Sequence, residues 1–304
     1  MPRSLAQRSA LGVTASLPEA GSRPPVRTNR APGRVVEATT IAVVYFISAA
    51  ALAGFATFAM HPELLARAHV PPATYGQMMV FAPRAQIVIA LGALALFLTR
   101  RIGLRWLGAF AVVYLVSLGA ELAGTTAGLP FGPYRYTDGL GWKWLEHVPV
   151  LIPASWFMMA LPSYAIAFWR FSTRGGVVGR VMLGSFILLS WDLALDPAMS
   201  LATKYWIWGT DGAYYGMPLL NLFGWFVTGV ALMVVFEAMR VNRWIGALSV
   251  PWLIAYYGAN LLLPVGMAIA AGLGGAVAAT AIALGVAWLI ARAGRSARGV
   301  EVPA

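Results

Sequence analysis

About eight times along this 304-residue chain an apolar run of roughly membrane-spanning length recurs, and short arginine clusters stand between the runs. In hydrocarbon every backbone N–H and C=O must find a partner within the protein, so such runs fold as helices or as closed barrels. These runs are continuous rather than alternating, which selects helices. With 60% hydrophobic and only 11% charged residues, and a mean hydropathy of +0.72, the chain is far too apolar for a soluble domain. The expected fold is all-α, a polytopic membrane helix bundle of about eight transmembrane helices.

The expected spans are Val35 to Met60, Gln86 to Thr99 (extended by Phe81 to Arg84), Leu104 to Ala123 and Val150 to Trp169. They continue with Val181 to Asp196, Leu219 to Met239, Ile245 to Ala268 and Leu273 to Ile290. Residues 1–34, rich in Arg, Pro, Ser and Ala, read as a disordered cytoplasmic tail without a signal-peptide core. Residues 35–292 form the transmembrane domain, and 293–304 a short basic cytoplasmic tail. Charge bias places the basic clusters at 100–105, 170–180, 240–243 and 292–298 on the inner side, which puts both termini in the cytoplasm and the protein in the inner (cytoplasmic) membrane. The net charge of +11 follows these turns rather than one amphipathic face, so it marks topology and not nucleic acid. No cysteine is present, which excludes disulfides, thiolate nucleophiles and cysteine-ligated metals.

The costliest residues to place are the acids of Ser190-Trp191-Asp192-Leu193-Ala194-Leu195-Asp196-Pro197. A charge in hydrocarbon costs at least a few kcal/mol and is usually kept for function. The spacing puts Asp192 and Asp196 on one helix face, where like charges repel and a retained proton relieves the repulsion. Pro197 predicts that the helix ends at Asp196, with its negative dipole end beside that acid. Glu121 at the end of the third span and Asn221 at the start of the sixth fall at the same depth on the outer side. The alternative is structural: Asp192 caps a helix pair and Asp196 faces headgroup water.

Two long segments between spans are rich in Gly, Pro and aromatics, which at the membrane rim means folded backbone buried in protein or lining a cavity. Their Tyr and Trp residues serve either as an interfacial belt or, with the acids, as walls of a slot for a long polyene whose cations the ring faces would stabilise. Asn221 would hold a water or a helix end. His61, His69 and His147 are too scattered for a metal site. Glu237 is expected to pair with Arg240, Arg84 to pair with an acid or snorkel, and Asn260, beside Tyr256 and Tyr257, to bridge helices.

Five motifs carry a family resemblance: Glu121 with GLPFGPYRY (Gly128 to Tyr136), VPVLIPASW (Val148 to Trp156), WDLALDP (Trp191 to Pro197), YWIW (Tyr205 to Trp208) and GMPLLNLFGW (Gly216 to Trp225). Together they resemble the integral-membrane carotenoid hydratases, meaning the carotenoid 1,2-hydratases of the cyanobacterial and Deinococcus type and bisanhydrobacterioruberin hydratase. The resemblance is strong from Glu121 to Trp225 and rests on hydropathy elsewhere. It implies addition of water to the terminal 1,2 double bond of an acyclic carotenoid end, as in lycopene, gamma-carotene or a C50 carotenoid, giving a tertiary hydroxyl without a cofactor. The partners implied are the lipophilic carotenoid, water, the lipid bilayer and other carotenoid-pathway enzymes.

Hydrating an unactivated alkene needs a strong, dry, positioned acid, for which Asp196 or Asp192 is the candidate. The other aspartate, or Glu121, would orient the water. Trp191, Trp206 and Tyr215 are candidate cation stabilisers. Tyr134, Tyr136, Trp208, Asn221 and Trp225 complete the candidate binding wall. Rival readings are a membrane prenyltransferase-like enzyme, which lacks a second acidic motif here, a proton-coupled transporter, and a non-catalytic carotenoid-binding membrane protein.

Overall fold

The structure, a computed structural model, describes residues 31–173 and 176–293. Among the described residues, seven continuous helical stretches are long and apolar enough to cross a membrane. The longest, Ala73–Ala127, is broken by a single 3-10 turn at Gly103–Arg105, where Gly103 takes φ +66°. A left-handed residue ends a helix, and glycine takes that conformation at little cost. The eight long helices are therefore α1 (Ala31–Gly54), α2 (Pro72–Ile102), α3 (Trp106–Ala127), α4 (Leu151–Arg170), α5 (Val177–Asp196), α6 (Leu219–Ala238), α7 (Val250–Ala270) and α8 (Gly274–Arg292). The protein is a multi-pass, all-α membrane bundle.

Several boundaries differ from expectation for local reasons. α1 starts at Ala31, taking residues 31–34 from the expected tail; residues 1–30 and 294–304 lie outside the described residues. α2 is 31 residues long because Pro72 sits in its first turn, where no N–H is needed, and Pro83 is accommodated inside it. Ile245 belongs to a short helix, Asn242–Ile245, and α7 begins afresh where the Ser249 side chain accepts from Trp252 N–H. The α-helical hydrogen bonding of α5 does end at Asp196, but the chain does not leave the helix axis. Pro197 keeps helical angles (φ −58°, ψ −40°) and opens a π-helical segment, Pro197–Ala202. A second π segment, Phe55–Ala59, continues α1. Such insertions are uncommon and cluster at functional sites.

α4, α5 and α7 are the more buried helices, with α6, α8, α2 and α3 around them, while α1 packs on α7 and α2 at the edge. Association in lipid has no hydrophobic driving force and relies on close packing of small residues. At the α5–α6 contact, a Cβ added to Gly229 would lie 3.2 Å from Ser185 Cα, so the two backbones approach closely. Interhelical hydrogen bonds add to this. Gln86 donates to Asn260 Oδ1 (3.0 Å), Tyr256 to the Ala90 carbonyl (2.8 Å) and Tyr257 to the Ile187 carbonyl (2.7 Å). Asn260 does bridge helices, with Gln86 as the partner the sequence did not suggest.

Glu237 pairs with Arg180, not Arg240. Arg240 follows α6 in a left-handed conformation (φ 57°), which turns it away from the helix face. Arg180 is 2% exposed and grips both Glu237 carboxylate oxygens, with Nη2 at 2.9 Å from Oε2. Its Nη1 donates to the Phe171 and Thr173 carbonyls, and the Tyr164 hydroxyl donates to Glu237. Three of the hydrogen bonds at this α4–α5–α6 junction end on Glu237. Arg180→Ala strands Glu237, and we expect it to cost about 3–5 kcal/mol. It should lower the thermal unfolding midpoint in detergent, and Arg180→Leu combined with Glu237→Leu should recover part of the loss. An unchanged midpoint in Arg180→Ala would contradict this role.

Candidate active site

One end of the bundle is built from helix termini whose sequences break the helix and fold back. α3 ends on Gly128 in the left-handed region (φ +74°), and the chain then returns through Phe131 to a three-residue strand β1 (Tyr134–Tyr136). Phe131 can lie between α3 and α6 because both present glycine. A Cβ on Gly124 would sit 2.8 Å from the Phe131 ring, and one on Gly224 would sit 2.7 Å from it. The second long segment gives the strand β4 (Trp206–Trp208), antiparallel to β1 with Tyr134 opposite Trp208 and Tyr136 opposite Trp206. A smaller hairpin pairs β2 (Lys143–Trp144) with β3 (Val148–Pro149). Because strand side chains alternate, Arg135 and Ile207 face outward while the two tyrosines and Trp206 turn in as a roof.

Beneath that roof lies a small cavity. Glu121, Asp196, Asn221, Trp191, Trp225, Trp206, Trp208, Tyr134 and Tyr136 all line it. Trp156 and Trp225 stack at 4.1 Å, Trp191 meets Trp225 edge-on at 5.9 Å, and Tyr134 stands 5.4 Å from Trp208. The walls therefore present π faces and edges around a few polar atoms.

The acids are buried, with Glu121 4%, Asp192 0% and Asp196 3% exposed, and none of the four ion pairs among the described residues involves them. Neutral donors hold them instead. Glu121 accepts from three groups: Trp156 Nε1 and the Tyr136 hydroxyl, each at 2.8 Å, and the Tyr134 hydroxyl at shorter range. Asn221 Nδ2 donates to Asp196 and lies 3.3 Å from Asp192 Oδ2, so a single amide joins the two aspartates. Asp192 sits behind Asp196 rather than on the cavity, and its Oδ1 has no hydrogen-bond partner among the described residues; the same holds for Trp208 Nε1.

Two expected positions move and others are added. Tyr215 is not in the site. Its left-handed conformation (φ 53°), followed by Gly216 (φ 82°), turns it away to pack on Tyr214 and the start of α8. Arg84 does not pair with an acid; it donates to the Asp138 and Gly139 carbonyls, pinning the segment after β1. Trp156, Phe131, Ser155, Ile152 and Leu195 line the cavity without having been singled out. Trp156 stood in a quoted motif, but only the fold shows its N–H aimed at Glu121. No three His, Asp or Glu side chains among the described residues are grouped so as to hold a metal.

Burial first, and then the Glu121 charge, push the Tyr134 and Tyr136 hydroxyls well above the ordinary tyrosine value of 10.0. A raised folded value stabilises fully below pH 10 and is lost as pH rises through the folded value. The thermal midpoint should thus hold to about pH 10 and then fall. The fall should be smaller in the Tyr134→Phe, Tyr136→Phe double variant, and an equal fall in both proteins would contradict the assignment.

The family described as "Carotenoid biosynthesis protein" matches residues 83–288. Over 139 residues the chain is 30% identical to the bisanhydrobacterioruberin hydratase of Haloarcula japonica, and the match spans 45% of each protein. No solved structure matches. The family match covers every residue of the cavity and runs from Pro83 within α2 to Trp288 within α8, more than half of the chain, and on that ground the chain belongs to the carotenoid biosynthesis protein family.

Proposed function

We propose that this protein is a hydro-lyase that adds water to the terminal 1,2 double bond of an acyclic carotenoid end, leaving a tertiary hydroxyl. The observation that carries the reading is a pair of buried carboxyl groups, Glu121 and Asp196, lining an aromatic cavity at the end of a membrane bundle, with Asp192 buried behind Asp196 and none of the three in an ion pair among the described residues. Repulsion among carboxylates in a medium of low dielectric is relieved when the group keeps a proton. A non-catalytic pigment binder would have no use for that arrangement, because burying acids costs stability. The relative from Haloarcula japonica is named for a hydration, which supports the same chemistry.

In this reading Asp196 is the acid, since it faces the cavity while Asp192 stands behind it. The Asp196 proton goes to the less substituted alkene carbon, the π electrons form the new C–H bond, and positive charge is left on the tertiary carbon. The faces of Trp191, Trp225 and Trp206 stabilise that cation. Glu121, whose oxygens are oriented by three donors, positions the water and takes its proton as the C–O bond forms. Return of that proton to Asp196 through cavity water closes the cycle, with one water added in all. Asn221 is a positioning residue that keeps the two aspartates side by side.

The test is pigment mass spectrometry on a host that accumulates lycopene or a monocyclic carotene. The wild type should yield a product heavier by one water. Asp196→Asn should lower product by about a hundredfold or more, the scale of a lost general acid. Glu121→Gln should lower it by about tenfold to a hundredfold. Unchanged pigment with well-inserted wild-type protein would overturn the proposal, and full activity in Asp196→Asn would overturn the assignment of the acid.

A further inference from the structure

The carboxyl cavity continues inward. It shares Ile152, Ser155, Trp191, Leu195 and Trp206 with a second cavity whose walls are mostly apolar. That cavity shares Pro83, Met199, Tyr205 and Leu263 with a third, which reaches Ala51 and Phe55 on α1 and Met79 and Ala82 on α2. Both π segments border this run, one through Phe55 and the other through Met199. Pro83 and Pro264 line the second cavity, and each removes a backbone hydrogen bond from its helix at that depth. These four irregularities, at α1, α2, α5 and α7, thus each contribute a residue to the linked cavities. The cavities run from α4, the most buried of the long helices, to α1, the least buried.

We infer that the three cavities form one slot for a long linear isoprenoid, entered from the bilayer between α1, α2 and α7, with only the reacting end reaching the carboxyl groups. The identity of the ligand rests on the proposed hydration; the slot itself does not. Tyr205 lies where the second and third cavities meet, fixed by its hydroxyl donating to the Met79 carbonyl at 2.6 Å. The far end of the ligand stays in lipid and is not read by the protein, so chains with an open or a cyclised far end are accepted alike.

Filling the outer cavity tests this without touching the carboxyl pocket. Ala82→Trp, Ala51→Trp and the milder Ala82→Leu are compared with Ala111→Trp, a control on an exposed position of α3. Each protein is purified from a lycopene-accumulating host, and retained lycopene, hydrated product and thermal midpoint are measured. The tryptophan variants should lose about tenfold or more of both retained lycopene and product, with Ala82→Leu intermediate and the control at wild-type level. If a tryptophan variant unfolds, Ala82→Leu at an unchanged midpoint carries the test. Filled variants that fold and keep wild-type lycopene and product would overturn the slot. Retained lycopene that falls on filling, with no hydrated product even from the wild type, would uphold the slot and overturn the hydration instead.

Discussion

Three carboxyl groups are held inside this bundle by neutral donors alone, and most of one end of the molecule is arranged around that cost. Glu121 needs three donors, and two of them come from a strand that exists only because α3 stops on Gly128 and folds back. That return path runs over Phe131, which requires glycine on both flanking helices. The strand is held in turn by pairing with Trp206–Trp208, which brings more indole over the acids. Asn221, in the first turn of α6, supplies the one amide shared by the aspartates. An unsatisfied buried carboxylate costs several kcal/mol, so removing any of these supports leaves a penalty that helix packing must absorb.

Glu237 provides the contrast. It too is a carboxylate within the helical region, but an arginine grips it from two sides and the group is neutralised on the spot. One acid is built into an ion pair and braces the bundle. The others stand in no ion pair among the described residues, and two of them, Glu121 and Asp196, face a cavity. The difference lies in the partner, which is why position within an apolar span does not by itself distinguish a structural acid from one available for proton transfer.

The eight helices and the site acids were legible from residue order because length, hydropathy and the cost of buried charge act locally. Helix ends were less so. Pro197 disfavours helix at Asp196 in isolation, yet packing holds the chain in a π turn there, and Pro83 is absorbed within a long α2. Pairings across the bundle were not legible at all. Nothing near Glu237 in sequence favours Arg180 over Arg240, and nothing near Asn260 points to Gln86, which lies 174 residues away. Tyr215 misled for a related reason: an aromatic in an aromatic-rich segment faces wherever its backbone turns it, and a left-handed φ turned this one away. Trp156 was visible in its motif, but its role needed the geometry of Glu121.

The most direct test of protonation followed by capture of water is isotope placement in the product. Membranes containing the protein are supplied with an acyclic carotene, once in deuterium oxide and once in oxygen-18 water, and the products are read by mass spectrometry and NMR. The account predicts one deuterium on the carbon next to the new tertiary alcohol in the first case, and oxygen-18 on the tertiary carbon in the second. A hydroxyl oxygen drawn from dioxygen, or a product with no solvent-derived hydrogen on carbon, would contradict it.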